Sequence, residues 1–94
     1  MIERRLISSN DELGIWLYSI ISEEDQFTQD VRRALDGSGF VTFVAHRRPQ
    51  VAGGYEFEVF DVILPHALFS SFDEAISAGA TSVENWRPRK PSSP

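Results

Sequence analysis

The sequence contains no cysteine, and this absence removes several classes of site at once. Without thiols the chain forms no disulfides, no thiolate zinc site and no cysteine nucleophile. It also has no apolar run approaching the ~20 residues that cross a bilayer. Residues 1–5 lead into no apolar segment of the kind found in export signals. From these absences we expect a cytoplasmic protein with no membrane contact.

Positive charge is also scarce. Nine Lys and Arg stand against 14 Asp and Glu, which gives a formal net charge of -5 over 94 residues. All of the acids lie in residues 1–85, whereas residues 86–94 carry three cations and no acid. A negatively charged body repels phosphates, so nucleic acid is an unfavourable partner for this chain.

The length and composition fit one small globular domain. Hydrophobic residues make up 41% of the 94 positions, which is enough for a single modest core. The last nine residues contain three prolines, which interrupt helices and central strands. We therefore predict one compact domain over residues 1–86 and a flexible, proline-rich basic tail over residues 87–94.

The first predicted helix covers residues 23–36. Ser22 offers a side-chain oxygen for an N-terminal cap, and the acidic residues that follow suit the positive end of a helix dipole. Phe27, Val31 and Leu35 then recur at helical spacing. The pattern predicts an amphipathic helix whose apolar stripe packs on a sheet.

A second helix is predicted from Ser71 to Gly79. Ser71 and Glu74 match a capping box, and apolar residues follow at helical spacing. Beyond the glycine, residues 81–86 have room for one short final strand. We expect both helices to share a core with the sheet, formed by Phe27, Val31, Leu35, Phe43, Phe72 and Ile76.

Three segments are predicted to be strands. Residues 40–46 and 55–64 are rich in β-branched and aromatic side chains and predict an antiparallel hairpin. Residues 13–21 fit either a capped helix or a central strand, and their apolar character on both faces favours the strand. Residues 4–8 are the candidate for an extra N-terminal edge strand.

The resulting element order is strand, helix, strand, strand, helix, short strand. This βαββαβ order predicts an α+β, ferredoxin-like split-βαβ fold, with an antiparallel sheet and both helices on one face. The other face is then left open. An apolar open face needs either a partner or a ligand to cover it.

Catalytic patterns are weak. The two histidines, His46 and His66, have no metal-binding spacing, and no serine stands in a nucleophile elbow. A hairpin that turns near residue 51 would bring His46 close to Tyr55 or Phe57. Such a hairpin would also allow His46 and Glu56 to form an acid–base pair. We predict no catalytic residue, no metal and no cofactor, and we regard an enzyme as the less favoured class.

One strand invites comparison with a nucleic-acid-binding family. Residues 54–60 (GYEFEVF) resemble the third-strand signature of RNA-recognition motifs at the glycine and at three aromatic positions. Trp16 and Tyr18 stand where a first-strand stacking aromatic would lie, and the resemblance implies base stacking on the sheet. Glu56 and Glu58, however, occupy positions where their charge would repel phosphates.

The sequence therefore predicts a small, acidic, non-enzymatic binding or regulatory module that acts through protein–protein contact. It would act as an inhibitor or adaptor, or as a homodimer formed through the open sheet face. A sheet-face binder of single-stranded nucleic acid is one alternative, and a small-ligand or acid–base site around His46 is another. The candidate binding residues are Trp16, Tyr18, His46, Tyr55, Glu56, Phe57 and Glu58.

Overall fold

A computed structural model describes residues 2–88 and shows a five-stranded antiparallel sheet followed by one helix. The elements are β1 (Ile2–Asn10), β2 (Ile15–Ser22), β3 (Asp25–Arg33), β4 (Phe40–Ala52), β5 (Tyr55–Phe69) and α1 (Phe72–Asn85). Each strand pairs with the next, so the order across the sheet is β1-β2-β3-β4-β5. Most of the predicted tail over residues 87–94 lies outside the described residues, which end at residue 88.

The predicted ferredoxin-like fold, with its two helices, is wrong. The segment predicted as the first helix forms β3, which pairs with β2 on one side and β4 on the other. Phe27 and Val31 are buried as predicted, but Gln29 between them is buried too. A spacing of four residues fits both a helix and a strand, and only the burial at the intermediate position reveals the two-residue period. Leu35 lies beyond the strand in a turn and is completely exposed.

The predicted final strand is also wrong, because α1 continues through residues 81–85. The Ser71 cap is confirmed, since the Ser71 hydroxyl accepts a hydrogen bond from the Glu74 amide at 3.1 Å. Gly79 does not end the helix. It lies inside it, where the side chain of Gln29 occupies the space that a Cβ atom would need.

The predicted β4–β5 hairpin and the strand over residues 13–21 are confirmed, as is the N-terminal edge strand. The turn is shorter than the gap between the two predicted strands, which covers residues 47–54. It consists of Gly53 and Gly54 alone, with φ angles of 59° and 80°. Two consecutive positive φ angles characterise the type I′ turn that best matches the twist of a hairpin, and glycine adopts them without strain.

The core lies between α1 and one face of the sheet. Ile20, Phe27, Val44 and Val83 form its buried apolar centre. Beside it, the Gln29 amide donates to the Thr42 hydroxyl at 2.9 Å and to the Ala75 carbonyl at 3.0 Å, which ties the helix to the strands. The single helix covers only part of the sheet, and within residues 2–88 no helix is long and apolar enough to cross a membrane.

Candidate functional site

The β4–β5 hairpin extends beyond the rest of the sheet. The last pair between β3 and β4 is Gln26 with Arg47, whereas β4 and β5 remain paired as far as Ala52 and Tyr55. Residues 48–59 therefore form a two-stranded arm, which we call the hairpin arm. Both edges of this arm are unpaired, because no third strand of the described residues lies beside it.

Large apolar side chains are exposed mainly on this hairpin. Among the described residues eleven large hydrophobic side chains are exposed, and six of them belong to β4 or β5. The six are Val51, Tyr55, Phe57, Phe60, Val62 and Leu68. Two large aromatic rings are at least half exposed, Tyr55 at 77% and Phe60 at 51%. This concentration makes the hairpin the candidate binding surface of the molecule.

Alternation divides these side chains between the two faces. Tyr55 and Phe57 lie on the face that α1 covers further along the sheet, because they alternate in step with Asp61, the partner of the buried His46. Glu56 and Glu58 lie on the opposite, open face. Phe60 and Val62 continue that face along β5, as do Arg47 and Val51 on β4.

Two ion pairs join the strands of the hairpin, one on each face. Arg47 donates a hydrogen bond to Glu58 on the open face. That hydrogen bond lowers the pKa of the Glu58 carboxyl and raises the pKa of the Arg47 guanidinium. On the other face, Nε of Arg48 lies 2.8 Å from Oδ2 of Asp61. These pairs fix the register of the hairpin close to the base of the arm.

The outer edge of β5 is an edge of the whole sheet. A two-residue turn makes Ala52 and Tyr55 the hydrogen-bonded closing pair, and the pattern alternates from there along an antiparallel ladder. The backbone N–H and C=O groups of Glu56, Glu58, Phe60 and Val62 therefore point away from β4. The register shifts further on, between the partners of Ala45 and Thr42, which ends the regular part of this edge.

His46 lies elsewhere, buried at 9% exposure beneath the end of α1. Its Nε2 atom is 3.3 Å from Oδ1 of Asp25, and its ring stacks on Trp86. Its cross-strand partner is Asp61. The expected position next to Tyr55 or Phe57 is wrong, because the turn lies at residues 53–54 and shifts the register of the hairpin. The structure also places His46 and Glu56 on opposite faces, so it does not bring that acid–base pair together.

A cleft of about 840 Å³ opens beside His46. Its polar lining comes from Asp25, His46, Arg48, Asp61 and Arg87, and its apolar walls include Phe60, Val62, Ile63 and Trp86. The cleft thus combines an imidazole with carboxylates and guanidinium groups. Within residues 2–88 no three His, Asp or Glu side chains converge in a way that would hold a metal ion.

The predicted stacking aromatics of β2 lie far from the hairpin arm, on the helix-covered face. The Trp16 ring contacts Phe72 of α1, with centroids 5.1 Å apart, and its indole N–H donates to Asp11 at 3.1 Å. Tyr18 lies beneath the Arg4 guanidinium, 5.2 Å from the ring centroid. The structure therefore separates Trp16 and Tyr18 from the exposed aromatic residues of β5.

Sequence analysis missed Phe60 and Val62 as candidate binding residues. The alternation that brought attention to Glu56 and Glu58 continues through both of them, and it places all four side chains on one face. The sequence predicts only that residues 55–64 form one strand of a hairpin, and it does not indicate that Phe60 and Val62 are exposed.

Comparison of the chain with protein-family models, with curated proteins and with solved structures found no match. The geometry of the hairpin and of the His46 cleft therefore supplies the basis for the function proposed below.

Proposed function

We propose that this protein is a non-enzymatic binding or regulatory module that contacts a protein partner through its β4–β5 hairpin. The observation that carries the proposal is the placement of the exposed apolar side chains. Six of the eleven in the described residues lie on this hairpin, and three of these, Val51, Phe60 and Val62, share its open face. In a small protein, exposed apolar side chains grouped on one face are typical of a surface that another protein covers.

Apolar contact would supply part of the energy for association. Covering a few hundred square ångströms of apolar surface is worth roughly 5–10 kcal/mol at about 25 cal/mol per Å². The loss of translational and rotational freedom costs about 4–15 kcal/mol, so well-packed anchor residues and charge complementarity have to add to the apolar term. Exposed aromatic side chains such as Tyr55 and Phe60 are the residue types that most often anchor interfaces.

Charge supports a basic partner surface. The net charge of the chain is -5, and Glu56 and Glu58 stand beside the exposed apolar side chains of β5. Complementary charge speeds encounter and disfavours acidic partners. In this proposal the protein acts in the cytoplasm, as predicted from the sequence, and blocks or presents the basic surface that it binds.

The nucleic-acid alternative has less support. A stacking platform needs its aromatic rings on one face with cations around them. Trp16 contacts α1, and the two arginines of the β4–β5 hairpin are already paired with acids, Arg47 with Glu58 on the open face and Arg48 with Asp61 on the other face. We therefore propose protein contact as the function and leave oligonucleotide binding as an outcome that would contradict it.

The small-ligand alternative is favoured by one specific observation, the cleft beside His46. A ligand there would contact His46, Asp25 and Trp86. Fragment screening by NMR would test this site, because binding would shift the His46 and Trp86 side-chain resonances while leaving those of Tyr55, which does not line the cleft, unchanged.

Site-specific crosslinking tests the main proposal. A photoreactive amino acid at Phe60 or at Tyr55 should yield one defined adduct in cells, whereas the same group at Leu35, which is more exposed than either, should yield none. Phe60→Asp should remove the adduct formed from position 55 without changing the thermal unfolding midpoint. Equal crosslinking from positions 35 and 60, or an adduct with nucleic acid, would contradict the proposal.

A further inference from the structure

We propose that the outer edge of β5, over residues 56–62, accepts an extended segment of the partner protein as a sixth strand. The segment carries two apolar side chains followed by two basic ones at alternate positions, and it runs antiparallel to β5. This inference rests on the proposed function, because it states how the β4–β5 hairpin would hold its partner.

The backbone of this edge is suited to strand addition. Glu56, Glu58, Phe60 and Val62 direct their N–H and C=O groups away from β4, and β5 is the last strand of the sheet. Proteins usually protect such an edge with charged side chains, especially lysine, with proline or with a bulge. Residues 55–62 contain no proline, their register with β4 is regular, and all of their charges are acidic, so they repel an acidic segment but not a basic one.

The opposite edge of the hairpin arm is protected, which gives the arm a single side for pairing. Pro49 is paired with Glu58 in a position where the backbone nitrogen faces away from β5. Since proline has no N–H, a strand added on that side would lose a hydrogen bond. At the far edge of the sheet, β1 has a register shift between Leu6 and Ser8. Residues 55–62 of the β5 edge contain neither a proline nor a register shift.

The side chains define the chemistry of the incoming segment. Along the open face, β5 presents Glu56, Glu58, Phe60 and Val62 in that order. Residues directly opposite each other on an antiparallel pair stabilise the sheet when they are apolar with apolar or acidic with basic. An antiparallel segment therefore meets Val62 and Phe60 with apolar residues and then Glu58 and Glu56 with Lys or Arg.

A second copy of the chain fits this edge poorly. If two β5 edges paired around Phe60, Glu58 of each copy would face Val62 of the other. If they paired around Asp61, two acidic side chains would face each other. Both registers keep an apolar pair at Phe60, opposite Phe60 in the first and opposite Val62 in the second, but neither places a basic residue opposite Glu58. The charge pattern therefore points to a partner other than this chain.

The test uses the full-length protein and a blocked synthetic peptide, TVTVTKTKT, with TVTVTETET as the matched control. We expect the lysine peptide to shift the backbone amide resonances of residues 56–62 and to slow their hydrogen exchange roughly tenfold at saturation, since exchange reports local opening and pairing. The amides of β1 should not change. The glutamate peptide should not bind.

Two sets of variants keep the test falsifiable. Glu58→Pro removes an outward N–H and should abolish peptide binding, while Val59→Pro removes an inward N–H and should unfold the hairpin. If Glu58→Pro also unfolds the chain, the double variant Glu56→Lys/Glu58→Lys decides, because it should bind the glutamate peptide and reject the lysine peptide.

Failure of this inference is distinguishable from failure of the proposed function. Crosslinking from position 60 together with no peptide binding would show that the hairpin binds by a face, which overturns strand addition alone. Peptide binding that survives both Glu58→Pro and the double charge reversal would also overturn it. A dimer in sedimentation that Glu58→Pro dissociates would identify a second copy as the occupant and contradict the proposed partner.

Discussion

The imidazole ring of His46 stacks on the indole ring of Trp86, with centroids 4.2 Å apart and planes inclined by 25°. The same indole meets Phe27 edge-on, at 5.4 Å and 82°. Trp86 is the C-cap residue of α1, so these contacts fasten the end of the helix to β3 and β4. The ring-to-ring contacts thus cover the end of the core beneath the last turn of α1. That turn contains no basic residue that could interact with the helix dipole.

Replacing this indole should destabilise the fold. We expect Trp86→Ala to lower the free energy of unfolding by about 2–3 kcal/mol, because it removes a large apolar surface from Phe27 and His46. Chemical denaturation followed by circular dichroism would measure the loss. Arg87→Ala, at the exposed neighbour, is the control and should change stability by less than about 0.5 kcal/mol. Equal effects of the two substitutions would show that the contacts of Trp86 with Phe27 and His46 do not stabilise the fold.

Gly79 and Gln29 should show strong energetic coupling. Gly79→Ala places a methyl group where the Gln29 side chain now lies, and we expect a loss of about 1–3 kcal/mol from overpacking. In a Gln29→Ala background that clash disappears, so the added methyl should cost little. A double-mutant cycle by denaturation would measure the difference. Additive effects of the two substitutions would show that the helix does not pack on Gln29.

The Arg47–Glu58 pair should be visible in the titration of Glu58. Because the hydrogen bond from Arg47 lowers its pKa below the usual 4.5, the carboxylate favours the folded hairpin above that value. The contribution is lost as the pH falls through the folded-state pKa. An NMR pH titration of the side chain should show the lowered pKa in the wild type and its return to normal in Arg47→Gln. In Arg48→Gln, the control on the other face, the pKa of Glu58 should stay low.

Leu35→Ala should leave stability nearly unchanged. The side chain is completely exposed, so its truncation opens no cavity, and we expect a change below about 0.5 kcal/mol in denaturation. Val31→Ala, four residues earlier and fully buried, should cost about 2–3 kcal/mol. A large loss at Leu35 would support a helix over residues 23–36 and contradict β3.

Local signals predicted the elements that depend on local chemistry. The Ser71 cap, the β4–β5 hairpin and the strand over residues 13–21 follow from side chains and turn residues within a few positions. The first helix was mispredicted because Phe27 and Val31 are compatible with both periods. The deciding residue, Gln29, is polar, and it can be buried because Arg4, Thr42 and Ala75 supply its hydrogen bonds from distant parts of the chain.

The candidate site was predictable only in part. Tyr55, Phe57, Glu56 and Glu58 stand out through strict alternation on one strand, and the structure places all four on the exposed hairpin arm. Their grouping with His46 depended on a turn near residue 51. The turn lies about two residues later, at residues 53–54, and it places His46 opposite Asp61 instead. The outward direction of the β5 edge could not be inferred at all, because it requires the order of strands in the sheet.

The position of α1 at the end of the described chain has a consequence for biosynthesis. Every strand pairs with its neighbour in sequence, so the sheet can assemble hairpin by hairpin as the polypeptide leaves the ribosome. Its inner face, with Ile20, Phe27 and Val44, nevertheless remains exposed to solvent until residues 72–85 have emerged. A nascent chain stalled before residue 72 would therefore present an exposed apolar sheet to chaperones, and emergence of α1 would bury it.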